Sequence, residues 1–363
     1  MTSPRPRACV LDLPAYRAAS PASPPPGRLI RLNANEGALG PSPAAVAAVT
    51  AAMADAHAYP ERGSATLAAA LGRRHGIDPA RVLVGNGSDE LIQLVCQTFL
   101  EPGDEAIITQ YGFVVFRLSI IAAGATPVVA PDEGFTVSVR SILARVTPRT
   151  RLVFLANPNN PTGTYLPLAE VERLHAALPP DVVLVLDAAY AEYVRRNDYE
   201  PGVGLCERAA NVLMLRTFSK VYGLAGLRVG WCYGPAALIE PLGRVKGAFN
   251  VNRAGQVAAL AALDDEAFLE RSLAHNDTWL PWVQEEFRRL GLEALPSVGN
   301  FFLLRLPEDP AKGQDACLAF MAARGILLRE MHSYKLPNHI RLSVGTEAEM
   351  RTLVAAMKEF LDG

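Results

Sequence analysis

The sequence predicts an α/β fold in which a large domain is built on a mostly parallel, seven-stranded sheet covered by helices, and a smaller α+β domain follows. The chain has 363 residues, which is more than a single hydrophobic core usually organises. Up to about residue 254, short β-rich runs alternate with helical segments, and several runs are apolar on both faces, as in strands covered by helices. After about residue 255, long helical patterns come first and shorter β-rich runs follow.

The first residues do not share this pattern. Residues 1–30 are rich in proline, alanine and arginine, and we interpret residues 1–40 as an N-terminal arm that joins the small domain or crosses a partner subunit. A disordered tail is the alternative interpretation of the same composition. The rest of the chain divides into a large domain over residues 41–254 and a small C-terminal domain over residues 255–363.

The elements follow from the hydrophobic pattern. Two alanine-rich helices are expected at 43–57 and 64–75, and the small domain should contain helices at 255–263, 265–291 and 347–361. The predicted strands of the large domain are 81–85, 105–109, 126–130, 151–156, 182–187, 212–217 and 227–233. The β-rich runs of the small domain are 301–306, 326–330 and 339–345.

Composition and charge exclude several classes of protein. The 35 basic residues are balanced by 37 acidic ones, giving a formal net charge of −2, so we expect no nucleic-acid partner. No apolar run approaches the roughly 20 residues of a membrane helix, and prolines near the N-terminus interrupt any secretion signal. The five cysteines never form a C-x-x-C pair and the six histidines show no metal-ligand spacing. We therefore expect a cytoplasmic protein without a metal site.

Two strand ends carry charged groups that need a chemical reason to be there. The strand 182–187 ends on Asp187, and Tyr190 follows three residues later. A carboxylate at the end of an apolar strand is costly unless a cation meets it, and a pyridinium nitrogen is such a cation. Lys220 lies among hydroxyl residues after the strand 212–217. A lysine in such a position can form a Schiff base, especially when its pKa is depressed.

Two further loops offer groups for an anion and for a ring oxygen. The loop 84–90, rich in glycine and serine, joins a strand to a helix, and such helix N-termini bind phosphate. Asn160 lies in a proline- and glycine-containing loop after the strand 151–156, where its amide could bind a phenolate oxygen. Each signal is weak alone, but their joint order at strand ends fits the demands of pyridoxal phosphate (PLP).

The sequence resembles the fold-type-I aminotransferases of class I and II, and among them it is most similar to the histidinol-phosphate aminotransferase family. The resemblance covers nearly the whole chain. It rests on the stretches LNANEGALGPSP (32–43), AYPERG (58–63), VGNGSDELI (84–92), EPGDEAIIT (101–109), FLANPNNPTGT (154–164), VLDAAY (185–190), RTFSK (216–220), GLAGLRVG (223–230), FNVN (249–252) and RLSVGT (341–346).

The resemblance implies a mechanism centred on Lys220, which would form a Schiff base with PLP and move the substrate proton. Asp187 would keep the ring nitrogen protonated, while Tyr190 and Asn160 would hold the ring oxygen. Phe113 stands where the family places a stacking aromatic residue, with an ordinary core phenylalanine as the alternative. The cofactor phosphate would be bound by Ser88, Thr217, Ser219 and Arg228, and Gly87 and Asp89 at the same helix start would also contact the cofactor.

The resemblance also implies residues for the substrate and for a partner subunit. Tyr59 would reach the phosphate of the neighbouring subunit, which implies a homodimer with shared active sites. Arg341 would pair with a substrate carboxylate, and Asn35 lies in the loop on the substrate side. Tyr16 and Arg329 match family residues that recognise histidinol phosphate. As alternatives, Tyr16 would pack on the partner and Arg329 would be a solvated strand-end charge.

We therefore expect a transaminase that exchanges an amino group between histidinol phosphate and 2-oxoglutarate in histidine biosynthesis. Its partners would be a small-molecule amino donor and keto acceptor. An aromatic amino-acid aminotransferase is the nearest alternative, followed by a threonine-phosphate decarboxylase or a PLP-dependent amino-acid oxidase on the same fold. A PLP-sensing regulator has less support, because no helix-turn-helix segment precedes the fold. The sequence departs from the family motifs at Gly37, Ala38 and Ala188.

Overall fold

A computed structural model describes residues 4–11, 13 and 29–363. Tyr16 and most of the predicted arm lie outside the described residues. The strands are β1 Ile30–Arg31, β2 Val82–Gly85, β3 Glu105–Thr109, β4 Thr126–Ala130, β5 Thr150–Ala156, β6 Val183–Asp187, β7 Val212–Thr217, β8 Gly230–Tyr233, β9 Glu293–Ala294, β10 Phe301–Arg305, β11 Ile326–Leu327, β12 Arg329–Glu330 and β13 His339–Ser343.

Helices separate most of these strands. The α-helices are α1 Ala8–Leu11, α2 Pro43–Ala52, α3 Ala65–His75, α4 Gly87–Phe99, α5 Val114–Ala123, α6 Val139–Leu143, α7 Leu168–Ala177, α8 Val203–Arg208, α9 Ala236–Val245, α10 Arg253–Asp264, α11 Glu266–Arg289, α12 Gln314–Ala323 and α13 Glu347–Asp362. Short 3₁₀ helices lie at Met53–Asp55, Arg62–Ser64, Pro79–Arg81, Ala191–Tyr193, Ala225–Leu227 and His332–Tyr334. Among the described residues, none of the helices is both long enough and apolar enough to cross a membrane.

The large sheet confirms the predicted fold class. Its seven strands run in the order β2-β8-β7-β6-β5-β3-β4. All neighbours are parallel except β8, which is antiparallel to both β2 and β7. The seven predicted strands therefore exist, with ends shifted by a few residues. The strand predicted at 227–233 begins only at Gly230, because Arg228 has a φ of 55° and cannot continue a strand.

The large sheet is buried on both faces. Along β6, Leu184 and Leu186 belong to one hydrophobic cluster, whereas Val183 and Val185 belong to another. Alternate side chains of a strand point to opposite faces, so the continuous apolar run of β6 serves two helical layers at once. The side chains of such strands are buried in the core, so the polar side chains that follow the strands are the ones available for chemistry.

The C-terminal residues form a second sheet with its own core. Its order is β12-β13-β10-β9, and all its pairs are antiparallel. The chain entering from the N-terminal side attaches to this region, since β1 pairs in parallel with β11 and Leu32 is buried in the same cluster as Ile326 and Leu342. The single strand predicted at 326–330 is two strands in the structure, separated by the buried Leu328. Before Leu328, β11 pairs with β1, and after it β12 pairs with β13.

Side-chain caps fix the first turn of several helices. The helix predicted at 43–57 starts with Ser42 capping Ala45 but stops at Ala52 and continues as a 3₁₀ turn. In α11, Asp265 accepts a hydrogen bond from the backbone nitrogen of Phe268 and so fixes the first turn. The last helix begins with a capping box between Thr346 and Glu349.

Candidate active site

The register of the large sheet brings the predicted site loops together. Asp187 at the end of β6 lies opposite Ala156 of β5 and Leu215 of β7. On the other side, Gly230 at the start of β8 lies between Thr217 and Gly85. The loops that leave β2, β5, β6 and β7 therefore open onto one edge of the sheet, as the ligand sites of α/β sheets do.

A cleft of about 300 Å³ lies at this edge. Its other wall is made by residues 33–36 and by the second sheet. The predicted site residues that line it are Asn35, Ser88, Asp89, Phe113, Asn160, Asp187, Tyr190, Thr217, Ser219, Lys220, Arg228, Arg329 and Arg341. These predicted residues come from separate stretches of the chain between Asn35 and Arg341, and the fold brings them into one cavity.

Asp187 is the buried acid of the cleft. Only 5% of the residue is exposed, and burial raises the pKa of its carboxyl to about 7, although a hydrogen bond from the backbone nitrogen of Ala189 at 3.2 Å opposes the shift. A neighbouring cation would stabilise the ionised form of this carboxyl, because a buried carboxylate without a cation is energetically costly. A protonated ring nitrogen satisfies that requirement.

Lys220 lies just beyond β7, facing the same space. Its Nζ donates to the carbonyl oxygen of Ala34 at 3.3 Å and lies 5.5 Å from the centre of the Tyr190 ring. Burial lowers the pKa of the amine to about 8, with a further contribution from the Arg341 guanidinium. More of the amine is therefore neutral near pH 7 than in a free lysine, which favours attack on a carbonyl carbon.

Tyr190 and Asn160 offer hydrogen-bonding groups for a ring oxygen. Burial raises the pKa of the Tyr190 phenol to about 12, so the hydroxyl stays protonated at neutral pH. Asn35 Nδ2 donates to this hydroxyl at 2.9 Å. Asn160 Oδ1 accepts a hydrogen bond from Arg341 Nη1. This bond orients the amide so that its nitrogen is the group left to serve a ligand.

The Asn160 loop is held rigidly. Asn157 Nδ2 donates to the carbonyl of Leu166 at 3.0 Å, and the backbone nitrogen of Leu166 donates back to Asn157 Oδ1 at 2.8 Å. Tyr199 also donates its hydroxyl to the carbonyl of Asn157 at 2.8 Å. These bonds hold the loop on both sides, so Asn160 sits at a defined place beside the strand end.

The start of α4 and the end of β7 form a cradle suited to an anion. Thr217 Oγ1 donates to Ser219 Oγ at 3.0 Å, and Arg228 Nη1 donates to the same Ser219 oxygen at 3.4 Å. Arg228 also pairs with Asp89 at 3.2 Å. Gly87 has a φ of 81°, and a Cβ there would lie 2.5 Å from Arg228 Nη2. A guanidinium, two hydroxyls and a helix N-terminus fit a phosphate group.

The opposite wall presents two arginines side by side. Arg329 and Arg341 are direct partners in the β12–β13 register. The Arg329 side chain is 12% exposed and lies 3.7 Å from Glu330, whereas Arg341 is buried and donates to the carbonyl of Asn33 at 2.7 Å. Like charges on opposed strand positions repel each other, so an anionic ligand between them would be favourable.

Not every predicted residue lies in the cleft. Tyr59 is 76% exposed, and its ring stacks on Phe249 at 4.5 Å, with Arg253 donating to its carbonyl at 3.0 Å. Tyr59 is therefore outside the cleft of its own chain. Gly87 adjoins the cleft through Arg228 without lining it. Tyr16 lies outside the described residues.

Sequence reasoning missed several groups that contribute to the cleft. The backbone carbonyls of Asn33 and Ala34 accept from Arg341 and Lys220, and no residue pattern indicates a backbone acceptor. Tyr334 also lines the cleft, and burial raises the pKa of its phenol. Ser343, which hydrogen-bonds to Asn35, lies in the same RLSVGT stretch as Arg341, so this motif contained a second residue that supports the cleft.

The chain matches the family model described as aminotransferase class I and II over residues 28–357. It belongs to this family. It is 46% identical, over 99% of both chains, to the histidinol-phosphate aminotransferase of Paramagnetospirillum magneticum. It has the same identity, again over 99% of both chains, with the histidinol-phosphate aminotransferase of Rhodopseudomonas palustris strain BisB18.

A solved structure is similar as well. The histidinol-phosphate aminotransferase from Sinorhizobium meliloti, in complex with pyridoxal-5'-phosphate, superposes with a TM-score of 0.86 at 30% identity. The match covers 92% of this chain and 91% of that chain. The resemblance predicted from the motifs, to class I and II aminotransferases and among them to histidinol-phosphate aminotransferases, is thereby confirmed. The particular residue roles in the cleft stay predictions.

Proposed function

We propose that this aminotransferase transfers an amino group between histidinol phosphate and 2-oxoglutarate, with PLP as cofactor, in histidine biosynthesis. The observation that carries the proposal is the 46% identity, over 99% of the chain, to relatives named histidinol-phosphate aminotransferase. The chemistry of the cleft supports it, because a phosphate cradle, a buried acid, an activated lysine and two arginines face one cavity.

The chemistry of the cleft supports the assignment of particular residues to the cofactor. Lys220 would bind the cofactor and move the substrate proton, since its amine has a lowered pKa. Asp187 would hold the ring nitrogen protonated, and Tyr190 and Asn160 would bind the ring oxygen. Phe113 would pack on the ring face. When bound, PLP supplies the electron-accepting ring. Its phosphate would be held by Ser88, Thr217, Ser219 and Arg228, and Gly87 and Asp89 would contact the cofactor beside it.

The substrate would be recognised from the arginine side of the cleft. Arg341 is suited to the carboxylate of the amino donor, because a guanidinium can bind both carboxylate oxygens. Arg329, its cross-strand neighbour, would bind the phosphate of histidinol phosphate. Tyr16 would complete this recognition. Asn35 would border the substrate through its position in the 33–36 segment.

We infer that the enzyme is a cytoplasmic homodimer with shared active sites. Tyr59, exposed on its own chain and stacked on Phe249, would reach the phosphate bound by the partner. The division into an arm (1–40), a large PLP-binding domain (41–254) and a small domain (255–363) belongs to the same proposal. It is supported by the pairing of β1 with β11 and by the separate C-terminal core.

The decisive experiment measures substrate choice. Purified enzyme with PLP is mixed with L-histidinol phosphate and 2-oxoglutarate, and glutamate formation is followed. L-phenylalanine as the donor is the comparison. We expect kcat/KM to be highest for histidinol phosphate. A higher value for phenylalanine would assign the chain to aromatic aminotransferases. Release of CO₂ or peroxide in place of transamination would overturn the proposal altogether.

A further inference from the structure

Asn35 adopts a conformation that few residues tolerate. It is 1% exposed, and its φ of 55° lies in the left-handed region, where asparagine and aspartate are enriched among residues other than glycine. It belongs to the segment 33–36, which crosses the cleft between the two sheets. Such a backbone conformation persists only where surrounding contacts fix it.

Those contacts come from the second sheet and its flanking loop. The backbone nitrogen of Asn35 donates to Ser343 Oγ at 2.8 Å, and Ser343 Oγ donates to Asn35 Oδ1 at 3.0 Å. Asn300 Nδ2 donates to the carbonyl of Asn35 at 3.2 Å and to the carbonyl of Glu36 at 3.0 Å. The main chain and the amide oxygen of Asn35 are therefore engaged by the protein itself.

This network sets the direction of the remaining hydrogen bond. Ser343 has one hydroxyl hydrogen, and giving it to Oδ1 makes Nδ2 the end of the amide that faces Tyr190. Nδ2 can only donate, so the Tyr190 oxygen accepts. The hydrogen of the Tyr190 hydroxyl is then left to be donated into the cleft, on the side where Lys220 and Asp187 lie.

We propose that Asn35 is a positioning residue that acts through Tyr190: by donating to the phenol oxygen, it makes Tyr190 a donor to the ring oxygen of the cofactor. The inference rests on the proposed function in assuming that PLP binds in this cleft. It gives Asn35 an effect on the cofactor itself, in addition to its place on the substrate side. A donated bond also polarises the O–H bond of Tyr190 and strengthens it as a donor.

The consequence appears in the proton affinity of the bound cofactor. A hydrogen bond donated to the ring oxygen withdraws electron density from it, so the oxygen holds a neighbouring proton less tightly. Losing that bond should raise the pH at which the visible absorption of the bound cofactor changes. The charged groups near the Tyr190 hydroxyl are Arg341, Asp187 and Asp89, and Lys220 Nζ lies 5.5 Å from the centre of its ring. None of these residues is substituted in the Asn35 variants.

The test uses the holoenzyme without substrate and follows its visible absorption from pH 5 to 10. Asn35→Asp keeps the size and the backbone preference of the residue but makes the side chain an acceptor that captures the Tyr190 hydrogen. We expect its absorbance midpoint to rise by about one pH unit or more, as for a lost hydrogen bond to a charged oxygen. Asn35→Ala removes the donor without adding charge and should raise the midpoint by about half a unit.

A double-mutant cycle separates this role from a direct one. Tyr190→Phe should raise the midpoint by itself, and adding Asn35→Ala in that background should produce no further shift. Ser343→Ala, which releases the amide oxygen of Asn35, should shift the midpoint in the same direction. Equal shifts with and without the Tyr190 hydroxyl would overturn the proposal.

Two other results are equally clear. Midpoints that stay at the wild-type value in the Asn35 variants, with a raised KM for the amino donor, would mean that Asn35 only contacts substrate and would also overturn the proposal. If the proposed function itself is wrong, the wild-type protein will show no pH-dependent cofactor absorption or no transamination of histidinol phosphate. That result differs from the two outcomes that would overturn the role of Asn35.

Discussion

The two walls of the cleft differ in how the fold builds them. The sheet wall, formed by Asp187, Tyr190 and Lys220, lies at the ends of two neighbouring strands of one sheet, so the pairing of these strands brings the residues to one edge. The arginine wall, formed by Arg329 and Arg341, stands on an antiparallel pair in a second sheet. Segment 33–36 joins the two walls, since its carbonyls accept from Lys220 on one side and Arg341 on the other.

This difference suggests a division of labour. The groups of the sheet wall suit a flat, partly positive ring with an anionic tail, and such chemistry is common to a whole family. The groups of the arginine wall suit anionic substituents, which vary from substrate to substrate. We therefore expect changes in the sheet wall to remove activity on every substrate, and changes in the arginine wall to alter which substrate is used.

The largest effect should come from removing the amine of the sheet wall. Lys220→Ala should lower kcat by about 10⁴-fold or more with every substrate, because the proposed attachment of the cofactor and the proposed proton transfer would both be lost. Pre-steady-state and steady-state rates measure the loss. Lys358→Ala, at an exposed position on α13, is the matched control and should retain wild-type rates. Substantial turnover by Lys220→Ala would place the cofactor lysine elsewhere.

The next effect concerns the buried acid and is a change of stability with pH. The folded protein without PLP holds a proton on Asp187 up to a pKa of about 7, whereas the ordinary value is 3.8. A raised carboxyl pKa means that the folded state binds more protons than the unfolded state between these values. The free energy of unfolding should therefore fall by at most about 4 kcal/mol as pH rises from about 4 to 7.

Urea denaturation of the cofactor-free protein at a series of pH values measures this dependence. Asp187→Asn should remove that part of the pH dependence, because its amide does not titrate. Asp181→Asn, whose side chain is 68% exposed, should leave it unchanged. PLP should reduce this loss of stability in the wild type, since its protonated ring nitrogen would meet the carboxylate. A cofactor-free protein with the same pH dependence in wild type and Asp187→Asn would contradict this account.

The arginine wall is tested by selective loss. Arg329→Ala should raise KM for histidinol phosphate roughly 10- to 100-fold, the value of a hydrogen-bonded charge pair, and leave phenylalanine nearly unaffected. Arg305→Ala is the matched control, because that arginine is half exposed on β10 and pairs with Glu293 and Glu308. Equal losses for both substrates would show that Arg329 supports the fold of the wall and does not read the phosphate.

The two walls also differ in how far the sequence predicts them. Asp187, Asn160 and Lys220 each follow a continuous apolar run, so identifying the strands already placed them at one edge. The position of Arg329 opposite Arg341 depends on the pairing of β12 with β13, which begins after the chain changes its partner strand at Leu328. A periodic pattern predicts a strand but does not specify its partner.

The same limit applies to the segment 33–36. Its motif was visible, but the role of its carbonyls was not, because every residue carries a backbone carbonyl and only the fold decides which donors it meets. The bond from Asn35 to Tyr190 joins residues 155 positions apart, and no local spacing encodes it. The sequence therefore predicted the sheet wall almost residue by residue, whereas the hydrogen bonds that connect the walls came from the three-dimensional structure.

The smallest effect should come from Tyr59, which belongs to neither wall of its own chain. Its ring is fixed against Phe249, so Tyr59→Phe keeps the packing and removes only the hydroxyl. If that hydroxyl reaches the phosphate held by the partner, the dissociation constant of PLP should rise by about 10-fold, the lower end of the range for one hydrogen bond to a charged group. Titration of the cofactor-free protein with PLP measures it, with Tyr165→Phe, whose hydroxyl binds Asp198 instead, as the control. An unchanged dissociation constant, with the dimer intact, would show that the Tyr59 hydroxyl does not contact the phosphate and that each cleft is completed by residues of its own chain.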